Sequence, residues 1–202
     1  MTLKVAIIES NPGARAFLGR VVEAAFSDAL DLRPSGDVDT ALASIVNASG
    51  DPGDPSPVRL ILIDPDLPSG GAVKLLDELA GHPGLKIATT LFADDEHLFP
   101  VIRRGASGYL LKEERFEAVV ESLQRMARGQ WPLTPGLARR MVSHLWPGAP
   151  GQGADTPSPA RATLACLARG LSTRETARHV GTSVSEVEAS VRAAYRLCQQ
   201  SM

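Results

Sequence analysis

Apolar residues fall along this chain in two alternating rhythms. Short aliphatic runs at Lys4–Ile8, Leu30–Arg33, Arg59–Ile63, Lys86–Thr90 and Tyr109–Leu111 read as strands, and the segments between them carry apolar residues three and four positions apart. That spacing predicts helices over Ala14–Ala25, Val38–Val46, Ala72–Ala80, a segment ending near Gly105, and Phe116–Ala127, the last with Phe116, Val119, Val120, Leu123 and Met126 on one stripe. Asp94 or Asp95 can cap the fourth helix, and Pro100 must kink it or delay its start. The run Leu60-Ile-Leu-Ile63 is apolar without alternation, as a strand covered on both faces requires. Asp64-Pro-Asp-Leu-Pro68 ends it abruptly. Strand–helix units repeated in this way predict an α/β fold, a doubly wound five-stranded parallel sheet with right-handed crossovers. Pro34, after the weaker second strand, suits a sheet edge.

The rhythm then changes to helices alone. Pro135–Leu145 is amphipathic through Leu137, Ala138, Met141, Val142 and Leu145, and residues 147–159 have the Gly/Pro/Ser composition of a flexible linker. Pro159–Arg169 reads as a helix stopped by Gly170. Ser172-Thr-Arg-Glu175 and Ser183-Val-Ser-Glu186 each fit a capping box, in which the serine accepts from the N3 amide and the glutamate reaches back to the cap. Two capped helices joined by the short turn Gly181-Thr182 form a helix-turn-helix pattern, a small all-α unit after the α/β one.

Composition adds limits to this picture. The 202 residues are 44% hydrophobic and 22% charged, enough for one or two domains with a real core. The N-terminal apolar run is short and interrupted by Glu9, which fits neither a signal peptide nor a membrane span, so a cytoplasmic protein with no membrane partner is expected. Cys166 and Cys198 lie on apolar helical positions and read as buried thiols without a disulfide, and the four histidines lack ligand spacing. Formal net charge is −2, yet from Pro157 onward six arginines face three glutamates, so two domains with different partners are expected.

In a sheet of order 2-1-3-4-5 the carboxyl ends of strands 1, 3, 4 and 5 converge where the strand order reverses, and ligands gather there. The residues so placed are Glu9 and Ser10, Asp64, Thr90 and Lys112. A buried carboxylate needs a cation, which Lys112 can supply, while Glu9 and Asp64 together offer ligands to magnesium. Such a pocket can accept a phosphoryl group, its oxygens neutralised by lysine and metal and bonded by the Thr90 hydroxyl.

Asp64-Pro-Asp-Leu-Pro68, Thr90, Arg104-Gly-Ala-Ser-Gly-Tyr-Leu-Leu-Lys112 and Gly129-Gln-Trp-Pro-Leu-Thr-Pro-Gly-Leu-Ala-Arg-Arg140 together resemble bacterial two-component response regulators of the NarL/FixJ class. The tail from Leu164 to Ala177 is similar to that class's LuxR-type DNA-binding domain. The resemblance implies a flavodoxin-like receiver domain over residues 1–129, a linker helix and flexible linker over 130–158, and a helix-turn-helix domain over 159–202. It further implies Asp64 as phospho-acceptor, Lys112 as the phosphate-binding lysine, and Thr90 with Tyr109 as the pair that rearranges on phosphorylation. Magnesium would be held by Glu9, Asp64 and Asp66, the partners would be a sensor histidine kinase, DNA and a second copy of the chain, and the protein would not be an enzyme. Thr173, Arg174, Ser185, Ala189, Arg192 and Arg196 fall at the positions expected to meet DNA.

The chain also departs from that class. Ser10 stands where a second acid would touch the metal, which should weaken magnesium binding, and Ala72 replaces a usual glycine. Glu186 and Glu188 occupy the start of the presumed recognition helix Val184–Leu197, where Thr and Lys are common, and Glu188 should repel phosphates. Met202 falls about where a fourth helix of the class, used in dimer contacts, would begin. An alternative reading is therefore a degenerate member acting by protein–protein contact, with little phosphorylation and weak DNA binding. A stand-alone enzyme is disfavoured, since no second catalytic set is evident.

Overall fold

The structure is a computed structural model that describes residues 2–26, 30–48, 56–91, 95–131, 133–147 and 158–200, with the backbone alone for 95–98. The glycine-rich stretch 148–157 and the caps expected of Asp94 or Asp95 lie outside the described residues. The chain divides into two compact units, Met1–Gly129 and Gln130–Met202.

In the first unit, strands β1 (Leu3–Ile8), β2 (Leu30–Ser35), β3 (Leu60–Ile63), β4 (Leu85–Thr90) and β5 (Gly108–Leu111) alternate with helices α1 (Pro12–Ala25), α2 (Val38–Ala48), α3 (Gly71–Glu78), α4 (Asp95–Arg103) and α5 (Phe116–Ala127). The sheet is parallel throughout, in the order β2-β1-β3-β4-β5, the flavodoxin-like arrangement. β3 is buried at all four residues, which explains why its sequence shows no alternation, and β2 with Pro34 is one of the two edge strands. Val5, Ile7, Ile61, Leu62 and Ile87 form the sheet's part of the core, with Leu18, Val22, Ile45, Leu75, Leu76, Val119 and Leu123 packed from the helices. Phe17 of α1 meets Phe116 of α5 edge to face, with ring centroids 6.0 Å apart. α4 runs through Pro100, and the loop before α3 forms a short 3-10 turn at Pro68–Gly70 in which Ser69 takes a φ of 57°.

The amino edge of the sheet is closed by lysines. Lys4 is 2% exposed and donates from Nζ to the carbonyls of Ala48 at 2.8 Å and Ser56 at 3.1 Å. Lys86 Nζ donates to the carbonyl of His82 at 2.8 Å, and burial holds its ammonium below the usual lysine range. Gly84 is required there, because a β-carbon at that position would stand 2.5 Å from the carbonyl oxygen of Val58.

The second unit contains α6 (Pro135–Leu145), α7 (Pro159–Ala168), α8 (Thr173–Val180) and α9 (Val184–Gln200). α6, expected as a linker helix, is instead an integral member of this unit. It buries Leu137, Ala138 and Met141 and packs on α7 and α9, and Arg139 donates to the carbonyl of Ala168 at 3.2 Å. Trp131 and Tyr195 lie 6.3 Å apart between ring centroids. Leu164, Val187, Val191, Ala194 and Cys198 complete the core, and Cys166 and Cys198 are buried free thiols. α8 ends on Gly181, whose φ of 75° turns the chain sharply into α9. Among the described residues no helix is long and apolar enough to cross a membrane.

Candidate functional site

At the carboxyl edge of the sheet three backbone bonds extend the strand ladders by one residue. The amide of Asp64 donates to the carbonyl of Ile8 at 2.9 Å, that of Glu9 to Ser35 at 3.0 Å, and that of Lys112 to Thr90 at 2.8 Å. These bonds bring the side chains after β1, β3 and β5 to one place. Lys112 Nζ donates to Glu9 Oε2 at 2.7 Å and lies 3.5 Å from Asp64 Oδ2, and all three side chains are at most 7% exposed.

The remaining carboxylate oxygens are also partnered. Glu9 Oε1 accepts from the amide of Asn11 at 2.9 Å, and Asp64 Oδ1 accepts from the amide of Asp66 at 3.1 Å. Asn11 in turn caps α1, its Oδ1 accepting from the amides of Gly13 and Ala14. The guanidinium of Arg15, one helical turn on, donates to the carbonyl of Glu9 at 2.5 Å and to that of Ser10 at 3.4 Å. Burial pushes the Glu9 carboxyl above the usual carboxylate range, with nearby Asp64 adding to the rise and the Lys112 and Asn11 bonds opposing it.

Of the residues expected at this edge, Glu9, Asp64 and Lys112 meet in one cluster. Thr90 and Tyr109 are buried, at 1% and 4% exposure, on neighbouring strands β4 and β5. Ser10 and Asp66 are exposed. Asn11 and Arg15 escaped the sequence reading: the Asn-Pro pair is a helix-start signal that could have revealed the cap, but nothing in the spacing showed that Arg15 would reach back to β1.

A magnesium ion asks for near-octahedral oxygen ligation, usually from one or two carboxylates with waters completing the shell. Here each of the four carboxylate oxygens already faces an ammonium or an amide, Ser10 lies outside, and among the described residues no three acidic, histidine or cysteine side chains form a metal-holding group. A dication entering beside Lys112 would meet a like charge at short range. The arrangement does not fit a resident divalent cation.

In the second unit both capping boxes form. Ser172 accepts from the amide of Glu175, whose carboxylate accepts from the Ser172 amide at 2.8 Å. Glu186 Oε2 accepts from the Ser183 amide at 2.9 Å, the Ser183 hydroxyl at 2.8 Å and the Thr182 hydroxyl at 2.5 Å. These bonds hold the Glu186 carboxyl down to about 2. Ser185, Ala189, Arg192 and Arg196 recur at helical spacing along one side of α9, with Ser185, Ala189 and Arg196 exposed and Arg192 and Glu188 half-buried. Thr173 is half-buried and Arg174 exposed at the start of α8.

No family model matches the chain. It is 28% identical over 140 residues to the oxygen regulatory protein NreC of Staphylococcus carnosus (strain TM300), and equally to that of Staphylococcus aureus (strain JH9). The chain spans 64% of the length of each, and 64% of this chain is matched. Among solved structures it is similar to the response regulator ChrA of a heme-sensing two-component system, at 21% identity with a TM-score of 0.51, covering 98% of this chain and 97% of that one. It also resembles the Salmonella typhimurium response regulator RcsB, at 17% identity and a TM-score of 0.54 over 98% and 92% of the two chains. A LuxR-family two-component response regulator from Aurantimonas sp. SI85-9A1 matches at 16% identity and a TM-score of 0.57, over 71% of this chain and 98% of that one. At these identities the structural likeness is one of fold. The chain is thus similar in sequence over 140 residues to the NreC regulators and similar in fold over nearly its whole length to response regulators.

Proposed function

We propose that residues 1–129 form a receiver that takes a phosphoryl group on Asp64 from a sensor histidine kinase, and that this controls DNA contact by the helix-turn-helix of the second unit in a homodimer. The observation that carries the reading is the Lys112 ammonium, buried at the carboxyl edge of the sheet within 3.5 Å of Asp64. In the transfer the bond from phosphorus to the donor histidine nitrogen breaks and one to an Asp64 carboxylate oxygen forms. Lys112 neutralises the arriving phosphoryl oxygens, and the Thr90 hydroxyl is on the strand next to β3 to bond one of them. Thr90 drawn inward frees space that Tyr109 follows into, which changes the surface of α4, β5 and α5. Incubation of the full chain with a small phosphodonor tests this: one added phosphoryl mass, absent from Asp64→Ala, is expected, and an unchanged mass in both overturns it.

A second reading rests on Glu186, whose carboxylate is committed to capping at the end of α9 that would meet phosphates. In it the second unit works by protein contact with little specific DNA binding. Affinity no better than for random duplex, unaltered by Arg192→Ala, would select it over the first.

A further inference from the structure

We infer that Lys112 is the resident cation of the Asp64 pocket, standing in place of a divalent metal, so that the receiver works without magnesium. This deepens the phosphoryl-acceptor reading and rests on it. The geometry divides one ammonium between two carboxylates, 2.7 Å from Glu9 Oε2 and 3.5 Å from Asp64 Oδ2, while backbone amides take the other two oxygens. A metal would have to compete with the Lys112 ammonium, a like charge, and with the amide that each carboxylate already accepts from.

Neighbouring features keep the pocket in this state. Ser10 is exposed and contributes no carboxylate, and Arg15 fastens the carbonyls of both Glu9 and Ser10, so the corner after β1 is held by a guanidinium. Asn11 is committed twice, by its amide to Glu9 and by its side chain to the start of α1, which leaves the corner little freedom to turn toward an ion. Each carboxylate oxygen of the cluster therefore has a partner in the chain itself. With two carboxylates against one ammonium the cluster keeps one negative charge, and formation of an acyl phosphate on Asp64 would let Lys112 turn from Glu9 to the new oxygens without a metal between them.

The test uses the full-length chain, with no phosphodonor, titrated with magnesium chloride and separately with manganese(II) as a paramagnetic probe, against sodium chloride at matched ionic strength. Amide resonances of Asn11, Asp66 and Lys112 report the pocket, and thermal unfolding reports linkage. At about twenty times its dissociation constant, a bound ion shifts the folding equilibrium about twentyfold. The wild type is expected to show neither that shift nor selective broadening at those amides. Saturable broadening or magnesium-specific stabilisation of the wild type overturns the inference, and this measurement decides it whether or not any variant folds. Lys112→Met, which leaves two carboxylates without their ammonium, is expected to gain both responses, and a folded Lys112→Met that stays silent also overturns it.

Phosphorylation is read separately by mass, in magnesium and in chelator. Equal labelling in both supports the inference together with the acceptor role. Labelling only with magnesium overturns the inference and leaves the acceptor role standing. No labelling in either overturns the acceptor role, and the metal titration still decides the cation.

Discussion

Lys112 and Glu9 form a buried ion pair, 2.7 Å from Nζ to Oε2, across 103 positions of sequence. The two partners are unequal. Removing Lys112 leaves two carboxylates facing each other without a counter-charge, whereas removing the charge of Glu9 leaves Lys112 with Asp64. Breaking a buried pair from one side costs about 3–5 kcal/mol. Lys112→Met should fall in that range by urea denaturation at pH 7, and Glu9→Gln should cost clearly less. Because the Glu9 carboxyl lies above its ordinary 4.5, its stabilising contribution is complete below 4.5 and is lost as pH rises through the raised value. Lys112→Met should steepen that loss and Glu9→Gln should abolish it. Equal costs for the two variants would contradict this account.

Glu186 has the opposite sign. Its carboxyl is lowered from 4.5 to about 2 by the hydroxyls and amide that cap α9. The stability it contributes is present above 4.5 and disappears as pH falls toward about 2. Circular dichroism followed through that window should show helix loss in the wild type, with a shallower slope in Glu186→Gln.

Glycine has a defined task at position 84 and none at position 19. A β-carbon on Gly84 would press on the Val58 carbonyl and the His82 ring, while one on Gly19 meets nothing within 4 Å. Gly84→Ala should cost about 1–3 kcal/mol, as overpacking does. Gly19→Ala, inside α1, should gain up to about 1 kcal/mol from helix propensity. Chemical denaturation of the two single variants provides the comparison.

DNA contact by α9 would be governed by charge at two half-buried positions, Glu188 and Arg192. Each phosphate contact contributes about 0.9 to the slope of log affinity against log salt. Glu188→Lys should tighten duplex binding and steepen that slope by about one unit, while Arg192→Ala should flatten it by about one. Fluorescence anisotropy across a salt series reads both, and slopes indifferent to both changes would move the second unit toward protein contact.

The sheet and most of its helices were legible because their apolar spacing is imposed by burial, which acts on each segment locally. Phe116–Ala127 and Pro135–Leu145 appear with the boundaries read from sequence, and β3 is as fully buried as its unbroken Leu60–Ile63 run demands. The meeting of Glu9, Asp64 and Lys112 was legible from strand ends once the strand order was assumed. Features set by tertiary packing were not. The stripe of α6 showed an apolar face but not which surface covers it, and α7 and α9 turned out to do so. Pro100 could not reveal that α4 continues through it, nor could Ser69 announce its left-handed backbone. Nothing in the spacing of α1 marks the reach of Arg15 back to two carbonyls after β1.

The grip of Arg15 on the carbonyls of residues 9 and 10 is made to backbone, and backbone carbonyls are the same for every amino acid. The corner after β1 therefore keeps its course whichever side chain residue 10 carries. Gain or loss of an acid at position 10 is thus a substitution that leaves the backbone of this corner in place.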